Sequence, residues 1–335
     1  MATIYEVSKL AGVSLATVSR VMNNSGKVAA ATRKRVEDAM LELGYRPNSI
    51  AQSLASNRSN CVGVLVSELH GPIFGDMLGT IEEELRRAGK FAIFSAGHNE
   101  AGKEREGIEF LTSRNCDALI LHVEALPREY FLENRDSLLP FVLINRDDEG
   151  LERNCIKLDN ERGGYLATRS LLELGHRKIG YISGPLDWGD AKARLAGHRR
   201  ALGEYGVPFE ERLVVEGNYV ESGGRAGTLQ LLTEEPELTA IVCANDEMAA
   251  AALGVIRGAG RSVPDDISVV GFDNVRWARY LYPQLTTIDY PVNALSRMAA
   301  HWVLREVYGQ DNLDVQFSFE PQLIERASSG PPRRA

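Results

Sequence analysis

Several polar residues of this 335-residue chain stand where a small hydroxylated ligand could be held. Asn145 follows the run FVLI, Asp159 follows CIKL, Asn245 and Asp246 follow AIVCA, and Asp273 and Asn274 follow ISVVGF. Each run reads as a β-strand, and in open α/β sheets ligands gather at the carboxyl ends of strands. A polyol needs paired acceptors, a forked donor and an apolar face against its C–H side. Asp273 and Asn245 supply acceptors, Arg194 a rigid fork of donors, and Tyr219 a ring to stack on. Each has a structural alternative. Asp246 is better placed to cap the helix EMAAAALGVI, and Asp159 to cap a helix starting at 160. Arg194 could lie on the solvent face of an amphipathic helix, and Tyr219 could be rim packing.

A second set lies near the N-terminus. Ala16, Ser19, Arg20 and Asn23 recur at i, i+3, i+4 and i+7 in a helix expected from about Leu15 to Asn23, opposite Val18, Val21 and Met22. This small, polar, basic face suits a helix laid in a DNA groove. Ser14 is placed to cap it, Gly12 to turn the chain before it, and Thr3 to cap a first helix that buries Ile4, Val7, Leu10 and Ala11. A third helix, about Ala31 to Leu43, turns Val36, Met40 and Leu43 inward. Helix, short glycine turn, helix is the pattern of DNA-binding heads. A plain three-helix packing unit fits the same pattern equally well. Pro47 then stops the third helix, and Asn48 can cap a short one from about Ser49 to Ser56. That segment is too short to hold together alone in water, and a flexible linker is its alternative.

The elements that must position the first set begin at residue 61. Apolar, β-rich runs recur at CVGVLVS, KFAIFSA, DALILHV, PFVLIN, KIGYIS, LVVEG, AIVCAN and ISVVGF, with helical stretches such as GTIEEELRRAG between them. Strands apolar on both faces and alternating with helices predict parallel sheets covered by helices. There are too many for one small sheet, so two α/β subdomains are expected, about 61–158 plus 290–325 and about 159–289. The segment from 290 crosses back to the first subdomain, and the tail SSGPPRRA is expected to be disordered.

Composition bounds the remaining choices. With 44% hydrophobic and 25% charged residues the chain reads as globular, and no apolar run reaches membrane-spanning length. The N-terminus shows no signal peptide, which points to the cytoplasm. Residues 1–60 carry eight Lys and Arg against four Asp and Glu, whereas the remainder carries 30 against 42. A basic head on an acidic body suggests that only the head meets a polyanion. Cys61, Cys116, Cys155 and Cys243 are widely spaced and read as small buried hydrophobes, and no Cys/His cluster suggests a metal. No P-loop motif, GxSxG, HExxH or GxGxxG follows the expected strands, so an enzyme is disfavoured and no cofactor is expected. A periplasmic-type sugar-binding protein fits the core but not the basic head.

The segments TIYEVSKLAGVSLATVSRVMNNSGKV and TRKRVEDAMLELGYRPNSIAQSL together resemble the head-piece of the LacI/GalR family of transcriptional regulators over nearly sixty residues. The resemblance implies a helix-turn-helix head over 1–45, a hinge over 46–60 and a ligand-binding, dimerising core over 61–335, fashioned like a periplasmic sugar-binding protein. It implies that Ser14, Ser19 and Asn23 hold phosphates of a palindromic operator. Leu15, Ala16 and Arg20 approach its bases, while Thr3 and Asn48 lie at helix starts near the DNA. Paired hinge helices would enter the minor groove, with Ala51 allowing their close packing and Leu54 as the wedge between base pairs. In the core, AKARLAGHRRAL maps an effector contact to Arg194, VCANDEMAAAALG to Asn245, SVVGFDN to Asp273, INRDD to Asn145 and GNY to Tyr219. SELHGPIF adds His70 and Ile73, and LILHV adds His122. HNEAGKEREGIEFLTSRNCDALILH and LINRDDEGLERNCIKLDNERGGYLATR resemble the galactose-responsive branch, which makes galactose or a similar monosaccharide the expected ligand. Two departures stand out. Ala29 replaces the usual capping Ser or Thr of the third helix. Leu15 and Ala16 can offer a base only apolar contacts. No heptad tail follows residue 320, which favours a homodimer over larger assemblies.

Overall fold

The computed structural model describes residues 2–22, 26–45 and 58–333, in two compact units, Met1–Asn60 and Cys61–Ala335. Asn23, Asn48, Ala51 and Leu54, and with them the expected hinge helix, lie outside the described residues.

The first unit contains α1 (Ile4–Ala11), α2 (Leu15–Met22) and α3 (Ala30–Glu42). Thr3 closes a full capping box on α1: its side chain accepts from Glu6 N while Glu6 accepts from Thr3 N at 2.7 Å. Gly12, at φ +61°, turns the chain, and the Ser14 hydroxyl accepts from Thr17 N at 3.2 Å to start α2. Val7, Ala11, Val18, Val21, Val36 and Ala39 form the core. Leu10 departs from the expected inward set and is 46% exposed. The stripe through Ile4, Val7 and Ala11 already covers the width of α1 that faces its neighbours, and Leu10 falls at its edge.

Ala29 stands at the N-cap of α3 without a side-chain hydrogen bond, so the first amides of that helix lack a capping partner. Ala29→Ser is expected to stabilise α3 by about 1 kcal/mol, a roughly fivefold gain in protection. Native-state hydrogen exchange of the α3 amides measures it, and unchanged protection would show that solvent already serves them.

The second unit holds two six-stranded sheets. The first has the order β11-β5-β4-β3-β1-β2, from β1 (Cys61–Val66), β2 (Phe91–Ala96), β3 (Ala118–Leu121), β4 (Phe141–Ile144), β5 (Cys155–Leu158) and β11 (Ser318–Phe319), all parallel. Its helices are α4 (Pro72–Arg87), α5 (Ala101–Ser113), α6 (Arg128–Glu133) and the returning α11 (Val292–Glu306). The second sheet has the order β12-β10-β9-β8-β6-β7, from β6 (Ile179–Ser183), β7 (Val214–Glu216), β8 (Ala240–Cys243), β9 (Ser268–Asp273), β10 (Thr286–Asp289) and β12 (Gln322–Ile324). Its helices are α7 (Asn160–Glu173), α8 (Gly189–Glu204), α9 (Glu221–Glu234) and α10 (Asp246–Gly258). The central strands β3, β4, β6, β8 and β9 are buried along their whole length, which is why they read as apolar runs without alternation.

The chain passes between the sheets after β5, after β10 and again after β11. The last passage differs from the expected return to about 325: Gln322–Ile324 pairs antiparallel with Thr287–Asp289 of the second sheet. The tail is also not disordered where it is described. Ser328 is buried, its hydroxyl donates to Val269 O at 2.6 Å, and His176 Nε2 lies 2.8 Å from Gly330 O. Hydrogen bonds of Ser328 to the starts of β9 and β10 hold a segment whose composition alone reads as loop.

Candidate ligand site and DNA-binding face

In the second unit, the loops that follow the carboxyl ends of strands in both sheets enclose one cavity of about 240 Å³. All eight residues expected around a ligand line it: His70, Ile73, His122, Asn145, Arg194, Tyr219, Asn245 and Asp273.

Arg194 organises it. The side chain projects from α8, is 3% exposed, and lays its guanidinium 3.7 Å from the centroid of the Phe272 ring. Nε donates to Asn160 Oδ1 at 2.9 Å and Nη1 to Ala244 O at 2.5 Å. Asp190 and Asp273 lie at 3.4 and 3.8 Å from its Nη atoms. Burial opposes the charge, but Tyr219, Asp190 and Asp273 more than offset it, and the guanidinium stays ionised. Asn160 in turn donates to Asn145 Oδ1 at 2.9 Å, so a relay links the two sheets across the cavity. Arg194 is thus no surface residue of an amphipathic helix.

Tyr219 sits at φ +63° and donates from its hydroxyl to Asp190 at 3.0 Å. Its ring lies 5.7 Å from that of Trp188, tilted by 30°, and the two form an aromatic wall. Asn145 (φ +62°) and Asp273 (φ +116°) share this left-handed backbone, which non-glycine residues hold only when their surroundings enforce it. Such strain gathers at binding sites. Burial drives the Asp273 carboxyl well above the usual range, against the pull of Arg194. Burial also lowers His122 to about 4, so its imidazole is neutral, with Nδ1 3.4 Å from the Ser67 hydroxyl. His70 stands at the rim, its side chain 81% exposed beside Glu68.

Two assignments change. The N-cap of α10 is Asn245, whose Oδ1 accepts from Met248 N at 3.0 Å while its Nδ2 donates to Tyr219 O at 2.8 Å. Asp246, the residue expected to cap, is instead buried beneath β9 and β10, accepting from Thr287 Oγ1 at 2.5 Å and Val275 N at 2.9 Å. Burial raises its carboxyl to about 7. One residue's difference in register decides it: the side chain before the first helical residue reaches the free amides, and the next points into the sheet. Asp159 does cap α7, accepting from Arg162 N at 2.8 Å.

The structure adds lining residues that the sequence reading did not single out, among them Asn99, Glu124, Trp188, Asp190 and Tyr290. Asp190, one turn before Arg194 on the same helix, was legible from the i, i+4 spacing. Tyr290 follows β10, which escaped recognition, and carried no local signal. Asn99 Oδ1, Glu124 Oε1 and the Tyr290 hydroxyl are buried without a hydrogen-bond partner. Orphaned polar atoms around a cavity mark places where a polar ligand restores lost hydrogen bonds.

In the first unit, Ala16 and Arg20 are exposed and Ser19 half-buried on the face of α2 opposite Val18 and Val21, and Leu15 is half-buried at its start. Ser14 and Thr3 cap the starts of α2 and α1. Among the described residues no helix is long and apolar enough to cross a membrane, and no group of His, Cys, Asp or Glu could hold a metal ion. The four cysteines carry no disulfide; three are buried and Cys61 is half-buried.

Comparison with known proteins agrees with both halves. Residues 3–48 match the description "Bacterial regulatory proteins, lacI family", and residues 168–329 match "Periplasmic binding protein-like domain". The chain is 40% identical to the HTH-type transcriptional regulator GalR of Escherichia coli over 99% of its own length and 97% of that protein's. It is 38% identical to the HTH-type transcriptional regulator GalS of Salmonella typhimurium, covering 98% of this chain and 96% of that protein. A solved structure of the lac repressor dimer bound to operator and the anti-inducer ONPF superposes with a TM-score of 0.86 at 29% identity, covering 98% of this chain and 99% of that one.

Proposed function

Because the chain belongs to the lacI family of bacterial regulatory proteins, we propose that it is a cytoplasmic, homodimeric repressor whose grip on a palindromic operator is set by a small sugar in the cavity of its core. It is a DNA-binding transcriptional regulator and not an enzyme. Its relatives include the HTH-type transcriptional regulator GalR and a lac repressor dimer solved on its operator, which supports both the partner and the assembly.

The observation that carries the sugar reading is the convergence of the eight expected residues on one cavity that also holds orphaned polar atoms. In this reading Asp273 and Asn245 accept hydroxyls, Arg194 donates, and Tyr219 with Trp188 covers the apolar ring face. Asn145 and His122 add polar contacts, and Ile73 and His70 close the rim. The head, 1–45, lays α2 in the major groove, with Ser14, Ser19 and Asn23 on phosphates and Leu15, Ala16 and Arg20 toward bases, and Thr3 holding α1. The hinge, 46–60, orders on DNA, with Asn48 as its cap, Ala51 at the helix pair and Leu54 as wedge. Ligand closure of the core, 61–335, changes the dimer geometry and with it the cost of pairing the hinges.

Operator binding by the full chain, measured on a palindromic family-type site with and without a panel of monosaccharides headed by galactose, tests this. One sugar should change the affinity at least fivefold, as allosteric couplings of about 1–3 kcal/mol do. Loss of affinity identifies an inducer and gain a corepressor. DNA binding indifferent to every sugar would refute the ligand class, and no DNA binding at low salt would refute the head.

A further inference from the structure

The cavity of the core is short of positive charge. Glu68, Glu124, Asp190, Glu247 and Asp273 line it with carboxyl groups, against the single guanidinium of Arg194. His122 adds no charge, because burial keeps its imidazole neutral. Arg194 answers Asp190 and Asp273, Glu68 lies beside His70 and His98, and Glu247 accepts from Glu221 N at 3.3 Å. Glu124 has no such partner: its Oε1 is buried and meets no donor. We propose that the ligand is an amino sugar and that its ammonium group is seated against Glu124. The proposal rests on the sugar reading above and deepens it by fixing the sign of the ligand's charge.

The arginines whose charge reaches Glu124 are committed elsewhere. Arg146 pairs with Asp148 at 2.8 Å and donates to Leu126 O at 2.7 Å, and Arg194 donates to Asn160 Oδ1 and Ala244 O. The loop that carries Glu124 is held in place. Glu104 is fully buried, and its carboxylate accepts from the backbone N–H groups of Glu124, Ala125 and Leu126 at 3.0, 3.1 and 2.7 Å. A recognition residue needs such support. Burial, Asp190 and Glu104 raise the Glu124 carboxyl against the pull of Arg146 and Arg194, so without a cation beside it the group holds a proton. An ammonium brought beside it reverses that balance. The carboxyl ionises, its proton leaves to solvent, and the pair gains a charge-assisted hydrogen bond.

The other unmet atoms of the cavity ask for the same chemistry. Tyr290 is 5% exposed, its hydroxyl is buried without a partner, and it lies in the field of Asp273, Asp190 and Glu124. Asn99 Oδ1 is a further acceptor without a donor. A neutral hydroxyl offers one donor and brings lone pairs that need donors in turn, whereas an ammonium offers three donors and needs none. The wall of Tyr219 and Trp188 remains for the apolar face of the ring, so ring and cation find separate partners. A phosphorylated or carboxylated sugar would add negative charge among these carboxyl groups and is disfavoured on the same ground.

Calorimetric titration of the full-length protein at neutral pH tests the idea, with galactose, glucose and mannose, with galactosamine, glucosamine and mannosamine, and with the N-acetyl derivatives of these amines. At least one amino sugar should bind about tenfold or more tightly than both its parent hexose and its N-acetyl derivative, the gain expected of a hydrogen bond between charged groups. In Glu124→Gln, which keeps the size of the side chain but cannot ionise, that amino sugar and its parent should bind within about threefold of each other. Glu124→Asp, which keeps the acid, should retain a preference of more than about threefold. A neutral hexose that binds while no amino sugar exceeds its parent overturns the proposal and leaves the sugar reading standing. A preference for the amine that survives Glu124→Gln undiminished overturns the assignment to Glu124. If the protein binds operator but no sugar of any kind, the sugar reading itself fails and the proposal falls with it.

Discussion

Arg194→Met is expected to abolish the response of operator affinity to the ligand, lower ligand affinity by at least about 100-fold, and leave operator affinity itself intact. The ligand loses two hydrogen bonds to a charged donor, each worth about 1.5–3 kcal/mol. The head has its own core of Val7, Val18, Val21 and Val36 and folds without Arg194. The core of the second unit should lose about 3–5 kcal/mol, because removing one partner leaves the Asp190 and Asp273 carboxylates buried without their cation. The loss should depend on pH with a defined sign. Burial already raises the Asp273 carboxyl, so in the variant it takes up a proton readily. A raised acid contributes stability at low pH that is lost as pH rises, so the deficit relative to wild type should be smaller at pH 5 than at pH 8. Urea unfolding at both pH values measures it. A normal ligand response in the variant, or a deficit larger at pH 5, would refute this account of the site.

The second large effect concerns a glycine. Gly164→Ala replaces a poor helix former by the best one, and by propensity alone should stabilise α7 by about 0.8–1.0 kcal/mol. Here the sign reverses. A Cβ at Gly164 would stand 1.9 Å from the backbone oxygen of Arg194, so α7 and α8 must separate. Backbone cannot swing aside as a side chain can. A loss of about 3 kcal/mol is expected, at the upper end of ordinary overpacking. Because the contact falls on Arg194 itself, ligand affinity should fall together with stability. Gly203→Ala, on α8 with nothing within 4 Å of its added Cβ, is the control and should be neutral or stabilising. Equilibrium unfolding of both variants decides: a stabilised Gly164→Ala would mean that the helices can part freely at this crossing.

Gly164 also shows where reading by sequence stops. It looks like a weak point in a helix, and only the crossing reveals it as a requirement. The same holds for neighbouring Gly163, whose added Cβ would meet the Phe272 ring at 2.5 Å, the ring on which Arg194 lies. Glycine patterns in single helices carry no address for their partners.

What the sequence determined by itself was local or periodic. The Thr3 and Ser14 caps, the Gly12 turn, the uncapped Ala29 and the strands from β1 to β9 follow from residue type and spacing within one element. The polar residues at strand ends were equally legible, since a parallel sheet puts all such ends on one side. What only the tertiary structure decided depends on which ends meet. Asn245 rather than Asp246 caps α10, because Thr287 of β10 and Val275 in the loop after β9 claim the carboxylate. The tail bonds to β9 and β10 because backbone groups at the starts of these strands need partners, not because its residues favour order. Glu124 and Tyr290 become site residues only when two sheets face each other, since burial, charge and an unmet hydrogen bond are properties of the enclosure and not of the residue.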